Sequence, residues 1–220
     1  MYKNVAQQTQ QTQPSSPTIL PVPKPKVNLA KILEAGYANK DKQESFAISH
    51  GYIRDPSSND NTQIYFHPPS KSLLVNVSGT HNIKDVGTDV ALMAGKLQDT
   101  QRFKDYKKTV SDAKAKYNPS QTTQVGHSLG ASIIMQGSGG DDKVHALDPG
   151  FVLGQKVRKG QNIYRSSGDI VSILGAGNKN VKTIQGKQSL FSPGGSILQR
   201  VKNAIDAHKV SNIKNKNIFV

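Results

Sequence analysis

The chain has 220 residues with no cysteine and no tryptophan, and its 29 Lys and Arg against 15 Asp and Glu give a formal net charge of +14. That length suits one domain with a real core, and the missing cysteine excludes disulfides, thiolate catalysis and cysteine-based zinc sites. Only 35% of the residues are apolar, so part of the chain is expected to lie outside the packed core.

Residues 1–26 read as a disordered arm. Gln7 to Pro17 is a run of Gln, Thr, Ser and Pro without apolar periodicity, and Pro21, Pro23 and Pro25 add a stiff connector. The globular domain is expected over 27–220. Leu29, Ile32 and Leu33 predict a short helix from Leu29 to Ala38. Gln63 to Phe66 and Ser72 to Val77 predict a hairpin turning at His67-Pro68-Pro69-Ser70. After Gly79, the stretch from Asp85 to Leu97 is expected to be helical.

Phe103, Tyr106, Val110, Ala113 and Tyr117 recur at steps of three and four and predict the clearest helix, which Asn118-Pro119 ends. Thr122 to Val125 reads as a strand, and the short apolar stretch Ala131 to Met135 as a helix. Lys143 to Leu147 and Asn162 to Tyr164 are further strands, and Ile197 to Ala207 is a last amphipathic helix. Strands alternating with helices predict an α/β fold with a largely parallel sheet flanked by helices. No apolar run approaches the ~20 residues that cross a bilayer. The N-terminus has no apolar core of a signal peptide, so the chain reads as soluble.

The charge is uneven. Residues 44–150 carry eleven groups of each sign, whereas residues 151–220 carry twelve Lys and Arg against two Asp. Such an excess favours an anionic partner, whether a phospholipid surface, nucleic acid or an acidic protein face.

Gly126-His127-Ser128-Leu129-Gly130 is a G-x-S-x-G pentapeptide between a predicted strand and a predicted helix. A serine on so sharp a turn is forced into a strained conformation beside backbone N–H groups able to hold an oxyanion. Leu129 supplies one of them. A serine nucleophile needs a histidine to take its proton and an acid to hold the imidazole, in the chain order Ser, acid, His for this kind of turn. Of six histidines, only His145 and His208 follow Ser128. His145 lies inside a predicted strand, with only Asp141 or Asp142 as an intervening acid, which leaves His208. The acid is then Asp148 or Asp169, each at the end of a predicted strand. Asp206 is too close to His208 along the chain to face it.

Gly126 to Ala131, GHSLGA, resembles the nucleophile elbow of class 3 lipases, whose usual form is GHSLGG. Leu74 to Asp89, LVNVSGTHNIKDVGTD, resembles that family's upstream signature, with Ser78 in place of its Arg and Val86 in place of its Trp. Tyr164 to Val171, YRSSGDIV, resembles the strand that delivers the family's acid. The tail from Ala207 to Ile213 resembles that of short lipase-like proteins encoded by DNA viruses. The resemblance implies an α/β-hydrolase fold with Ser128, Asp169 and His208 as the triad and Thr80 as a second oxyanion donor. It implies hydrolysis of lipid esters without metal or cofactor, by a virion-borne enzyme that damages a host membrane during entry, and the N-terminal arm is then expected to contact capsid or another virion protein.

The basic C-terminal third favours phospholipid on an anionic membrane, with Lys156, Arg158, Lys159, Lys202, Lys209, Lys214 and Lys216 as the docking charges. Two rivals remain at this level. One is a catalytically silent virion protein of the same fold. The other is a basic nucleic-acid-binding protein, against which no aromatic-rich groove or known nucleic-acid motif is present.

Overall fold

The computed structural model describes residues 22–80, 96–151, 156–167, 169, 171–172, 178–184, 206, 208–213 and 216–220. Val27 and Val220 are tied together, Val220 N–H donating to Val27 O at 3.0 Å. Lys24 reaches the sheet before that point, its Nζ donating to Thr123 Oγ1 at 3.2 Å. Asn28 caps the first helix, α1 (Leu29–Gly36), by accepting from Ala30 N–H. The predicted residues Leu29, Ile32 and Leu33 are its buried face. A second helix, α2 (Lys40–Ser49), follows the Asn39 cap. It buries only Gln43 and Ala47, so it has no apolar stripe from which periodicity could predict it.

Among the described residues seven strands then form one sheet in chain order: β1 (Ile53–Arg54), β2 (Thr62–His67), β3 (Ser72–Val77), β4 (Gln121–His127), β5 (Lys143–Leu147), β6 (Gln161–Ser166) and β7 (Val181–Ile184). The first three are antiparallel. From β3 to β7 every pairing is parallel. The predicted hairpin is β2–β3. Its turn is a short 3-10 segment, Pro68–Ser70, closed by Lys71 at φ 48°.

Helix α3 (Gln101–Tyr117) runs between a Thr100 cap and Asn118 at φ 40°. Helix α4 (Leu129–Gly137) follows β4 directly. Together they cover one face of the sheet, where Tyr106, Val110, Ile133 and Ile134 pack on Ile64, Leu73, Val75 and Val77. On the other face α1 packs against Tyr65, Leu74, Val125 and Leu147, joined by Val210 and Ile213 from a C-terminal 3-10 turn. Alternate residues of β3 therefore enter opposite cores, which is why every residue of that strand is buried. Each fully buried Leu, Ile or Val contributes roughly 1.5–3 kcal/mol.

The predicted helix from Asp85 to Leu97 lies outside the described residues except at its end, where Leu97 opens a 3-10 turn, Leu97–Asp99. The predicted helix from Ile197 to Ala207 also lies outside them except for Asp206, and the arm does so through residue 21. No helix among the described residues is long and apolar enough to cross a membrane.

Candidate active site

The parallel strands β4, β5 and β6 end side by side, and the polar residues of interest lie just past those ends. Ser128 joins β4 to α4 with φ 57° and ψ −125°, a conformation that costs a non-glycine residue about 1–3 kcal/mol. The turn is pinned by Ser128 N–H donating to Leu147 O at 3.0 Å, and by Ser132 N–H donating to Ser128 O at 3.1 Å. The flanking glycines allow the close packing. A Cβ on Gly126 would stand 2.7 Å from the Gly130 backbone, and one on Gly130 would overlap the carbonyls of Val77 and Ser78. Serine at a helix N-cap ordinarily spends its hydroxyl on the first turn. Here Ser128 makes no such bond, and its buried Oγ has no partner.

Asp169, past the end of β6, meets His208 from the C-terminal segment, with Asp169 Oδ1 and His208 Nδ1 2.8 Å apart. The other carboxylate oxygen accepts from Ser172 Oγ at 2.5 Å and Ser172 N–H at 2.8 Å. His208 Nε2 is buried and unpartnered. Asp148 is equally buried, with φ 48°, and its carboxylate accepts from Ser166 N–H and Ser166 Oγ. Of the two acids the sequence leaves open, Asp169 is the one bonded to His208.

The charges around this pair divide the roles. Burial alone would push Asp169 up, but the hydrogen bond and charge of His208, with the Ser172 bonds, hold it below the usual carboxylate value. Burial opposes the charged form of His208 as well, yet the Asp169 carboxylate keeps its pKa above that of a free histidine. Asp148 goes the opposite way to Asp169, pushed up by burial and by repulsion from it.

His127, one residue before Ser128, packs its ring against that of His208 with centroids 4.8 Å apart. Its Nε2 bonds the His208 carbonyl oxygen at 2.7 Å, and its Nδ1 lies 2.7 Å from the Tyr37 hydroxyl. The same hydroxyl accepts from Gly79 N–H at 2.7 Å. Tyr37, just past α1, belongs to no motif, and only contacts made by the folded chain identify it. His127, Asp148 and His208 also bring one ligand atom each within 4.8 Å of one another. Both His127 nitrogens are already bonded within the protein, so the cluster is organised as a hydrogen-bond network.

The loop after β3 passes directly over the serine. A Cβ on Gly79 would stand 2.8 Å from Ser128 Cβ and 2.5 Å from the Tyr37 hydroxyl. Thr80 follows, its Oγ1 buried and without a partner. Leu129 opens α4, where the first N–H groups of a helix have no intrahelical acceptor. Val86 and His81 lie outside the described residues.

The basic set is less uniform than its sequence. Arg158 is committed to the end of α4, its Nη2 donating to Met135 O at 2.9 Å and Ser138 O at 3.2 Å. Lys209 pairs with Asp206 at 2.6 Å. Lys156, Lys159 and Lys216 are exposed, whereas Lys202 and Lys214 lie outside the described residues.

No protein-family model matches the chain, and no curated protein sequence matches it. Among solved structures, its fold is similar to that of the Lip2 lipase from Yarrowia lipolytica, with a TM-score of 0.52 and 19% identity over 82% of this chain and 89% of the lipase. The lipase of Rhizomucor miehei in its propeptide complex aligns over 68% of this chain and 62% of that chain, with a TM-score of 0.47 and 14% identity. The fold is of the α/β-hydrolase type: a mostly parallel sheet flanked by helices, shared with a fungal lipase.

Proposed function

We propose that this protein is a serine hydrolase of lipid esters, with Ser128 as nucleophile, His208 as general base and Asp169 as the acid that orients it. The observation carrying this reading is a pair of unspent groups. Ser128 Oγ on its strained turn and His208 Nε2 behind its Asp169 bond are both buried and both without a partner. Buried polar atoms normally find partners. Two left free on residues linked through His127, which precedes Ser128 and bonds the His208 carbonyl, fit groups held for a reaction.

In the first step His208 Nε2 takes the Ser128 hydroxyl proton as Oγ bonds to the ester carbonyl carbon. The carbonyl oxygen becomes an oxyanion received by Thr80, through its N–H and free hydroxyl, and by Leu129 N–H. Each such donor is worth roughly 3 kcal/mol to the transition state. Collapse expels the alcohol, which takes the proton from His208. Water, deprotonated by the same Nε2, then releases the acid and restores the serine. The residues named supply this acyl transfer by themselves.

Lipid as substrate class is supported by the fold shared with a lipase, and phospholipid by the cationic C-terminal third. The likeness of the tail to viral lipase-like proteins supports a particle-borne enzyme that acts on a membrane, with the arm as its tether. The test compares wild type with Ser128→Ala on a panel of short-chain esters, triacylglycerols and phospholipids, alongside labelling by a fluorophosphonate. Labelling and turnover confined to wild type support the reading. An unlabelled, inactive wild type overturns it.

A further inference from the structure

Arg102 grips the loop that carries Thr80. Its guanidinium, projecting from the first turn of α3, donates through Nη2 to Ser78 O at 2.5 Å and Gly79 O at 3.1 Å. The side chain is half-buried, and among the described residues no carboxylate pairs with it. Ser78 stands where the resembled motif has arginine, and here a guanidinium reaches the same loop from another element. The charge is directed at two consecutive peptide groups.

Those two peptides are the ones the loop uses on its other side. The peptide whose carbonyl is Ser78 O carries Gly79 N–H, which donates to Tyr37. The peptide whose carbonyl is Gly79 O carries the N–H of Thr80. Amide resonance couples the two ends of each group, so a cation on the oxygen draws density from nitrogen and strengthens the N–H as a donor. With Tyr37 on the Gly79 N–H and Arg102 on the carbonyls, the loop is clamped from two sides beside Ser128.

We infer that Arg102 is a positioning residue for ester hydrolysis: it fixes and polarises the Gly79–Thr80 peptide so that Thr80 N–H receives the oxyanion. This inference rests on the serine-hydrolase reading. It adds that the oxyanion donor draws its strength from a half-buried charge held on the carbonyl of its own peptide, and that the charge matters more than the shape of the side chain.

Arg102 lines a cleft of about 310 Å³ with Asn59, Asp60, Asn61, Thr62 and Asp105, which gives a small cation a route to the vacated position in a variant. The experiment measures kcat and KM of wild type and Arg102→Ala on a soluble short-chain ester, then adds ethylguanidinium or the neutral N-ethylurea. Loss of an entire oxyanion donor costs roughly 10²–10³ in kcat. Loss of the charge behind it is therefore expected to lower kcat by about tenfold to a hundredfold, with KM changed less than about threefold. Inhibition by a trifluoromethyl ketone, whose serine adduct places an oxyanion at this position, should weaken by the same factor.

Ethylguanidinium should restore much of the loss, and N-ethylurea should not. A kcat within twofold of wild type overturns the inference, as does equal rescue by the two additives. Where Arg102→Ala does not fold, Arg102→Lys and Arg102→Gln decide: Lys should retain clearly more kcat than Gln, and equal values overturn the role of the charge. Fluorophosphonate labelling of wild type separates this failure from that of the reading beneath it. A labelled wild type with an indifferent Arg102 removes only Arg102.

Discussion

His127 donates from Nε2 to the backbone carbonyl of His208, its neighbour in space across 2.7 Å. A carbonyl can only accept, so Nε2 carries the proton. Burial holds the His127 pKa down to about 3, so the ring is neutral and Nδ1 is bare. The Tyr37 hydroxyl must then donate to Nδ1, while its oxygen accepts from Gly79 N–H. The donors run in one direction, from the loop over Ser128 through Tyr37 and His127 to the backbone that carries the proposed base.

Tyr37→Phe breaks that chain at its centre. Gly79 N–H and His127 Nδ1 both lose a partner, and each buried group left unsatisfied costs about 1–3 kcal/mol. The expected result is a lower melting temperature together with a kcat reduced about tenfold or more, because the loop and the base lose their common tie. Thermal unfolding and ester kinetics on the same preparation check this. An unchanged pair of values would make the chain incidental.

The proposed base works only when neutral, so kcat/KM is expected to rise with pH through a midpoint above the ordinary histidine value of 6.5, since Asp169 holds His208 up. The stability contribution has the opposite sense. A raised folded pKa gives stabilisation that is full below the unfolded value and lost as pH rises through the folded one. From the Asp169 side, the depressed pKa gives stabilisation that is lost as pH falls below 3.8 toward the folded value. The pair should thus stabilise most between these limits, and part of that contribution should vanish where activity appears. A pH–rate profile set beside a pH–stability profile tests the relation.

Asp169→Asn should cost about 10⁴ in kcat through loss of the correct tautomer, and should lower the ionisation midpoint because burial at His208 is then opposed by the charge of Asp148 without that of Asp169. Asp148→Asn should cost far less, since Asp148 bonds Ser166 and has no hydrogen bond to His208. Purified variants assayed on one soluble ester give the ranking. The reverse order would move the orienting role to Asp148.

Ser128 offers a trade between chemistry and stability. Ser128→Ala should abolish labelling with little change in melting temperature. Ser128→Gly should abolish labelling and raise stability by about 1 kcal/mol, because glycine relaxes the positive φ. Differential scanning calorimetry distinguishes the two. A less stable Ser128→Gly would mean that the turn stores no strain.

What the sequence reveals and what it hides follow from the range of the forces involved. The β2–β3 hairpin, α3 and the β4–Ser128–α4 turn are local, fixed by period, caps and glycines within a few residues, and each lies where its pattern predicts. The proposed nucleophile Ser128 and base His208 are read from chain order and residue type. Choosing Asp169 over Asp148 takes the resemblance, because each merely follows a strand. Tyr37 and Arg102 leave no such trace. They act on Gly79 through contacts 42 and 23 residues away in sequence, and no spacing rule links them. Helix α2, with no apolar stripe, and the two-residue β1 fall below what periodicity can detect.

The basic C-terminal third separates into charges that hold the fold and charges free to meet a surface. Arg158 donates to Met135 O and Ser138 O at the end of α4, so Arg158→Gln should lower the melting temperature by removing part-buried bonds worth about 1 kcal/mol each, with little effect on lipid binding. Lys156, Lys159 and Lys216 are exposed, and among the described residues their side chains make no such bond. Replacing these three by Gln should spare hydrolysis of a soluble ester while weakening binding to anionic vesicles by up to about fivefold per lysine near the surface. The wild-type preference for anionic over neutral vesicles should itself fade as salt shortens the Debye length from about 10 Å at 0.1 M toward about 3 Å at 1 M. Vesicle co-sedimentation across a salt series measures both effects. Equal binding to neutral and anionic vesicles at low salt would remove the membrane from the account of these lysines and leave them to a protein or nucleic-acid partner.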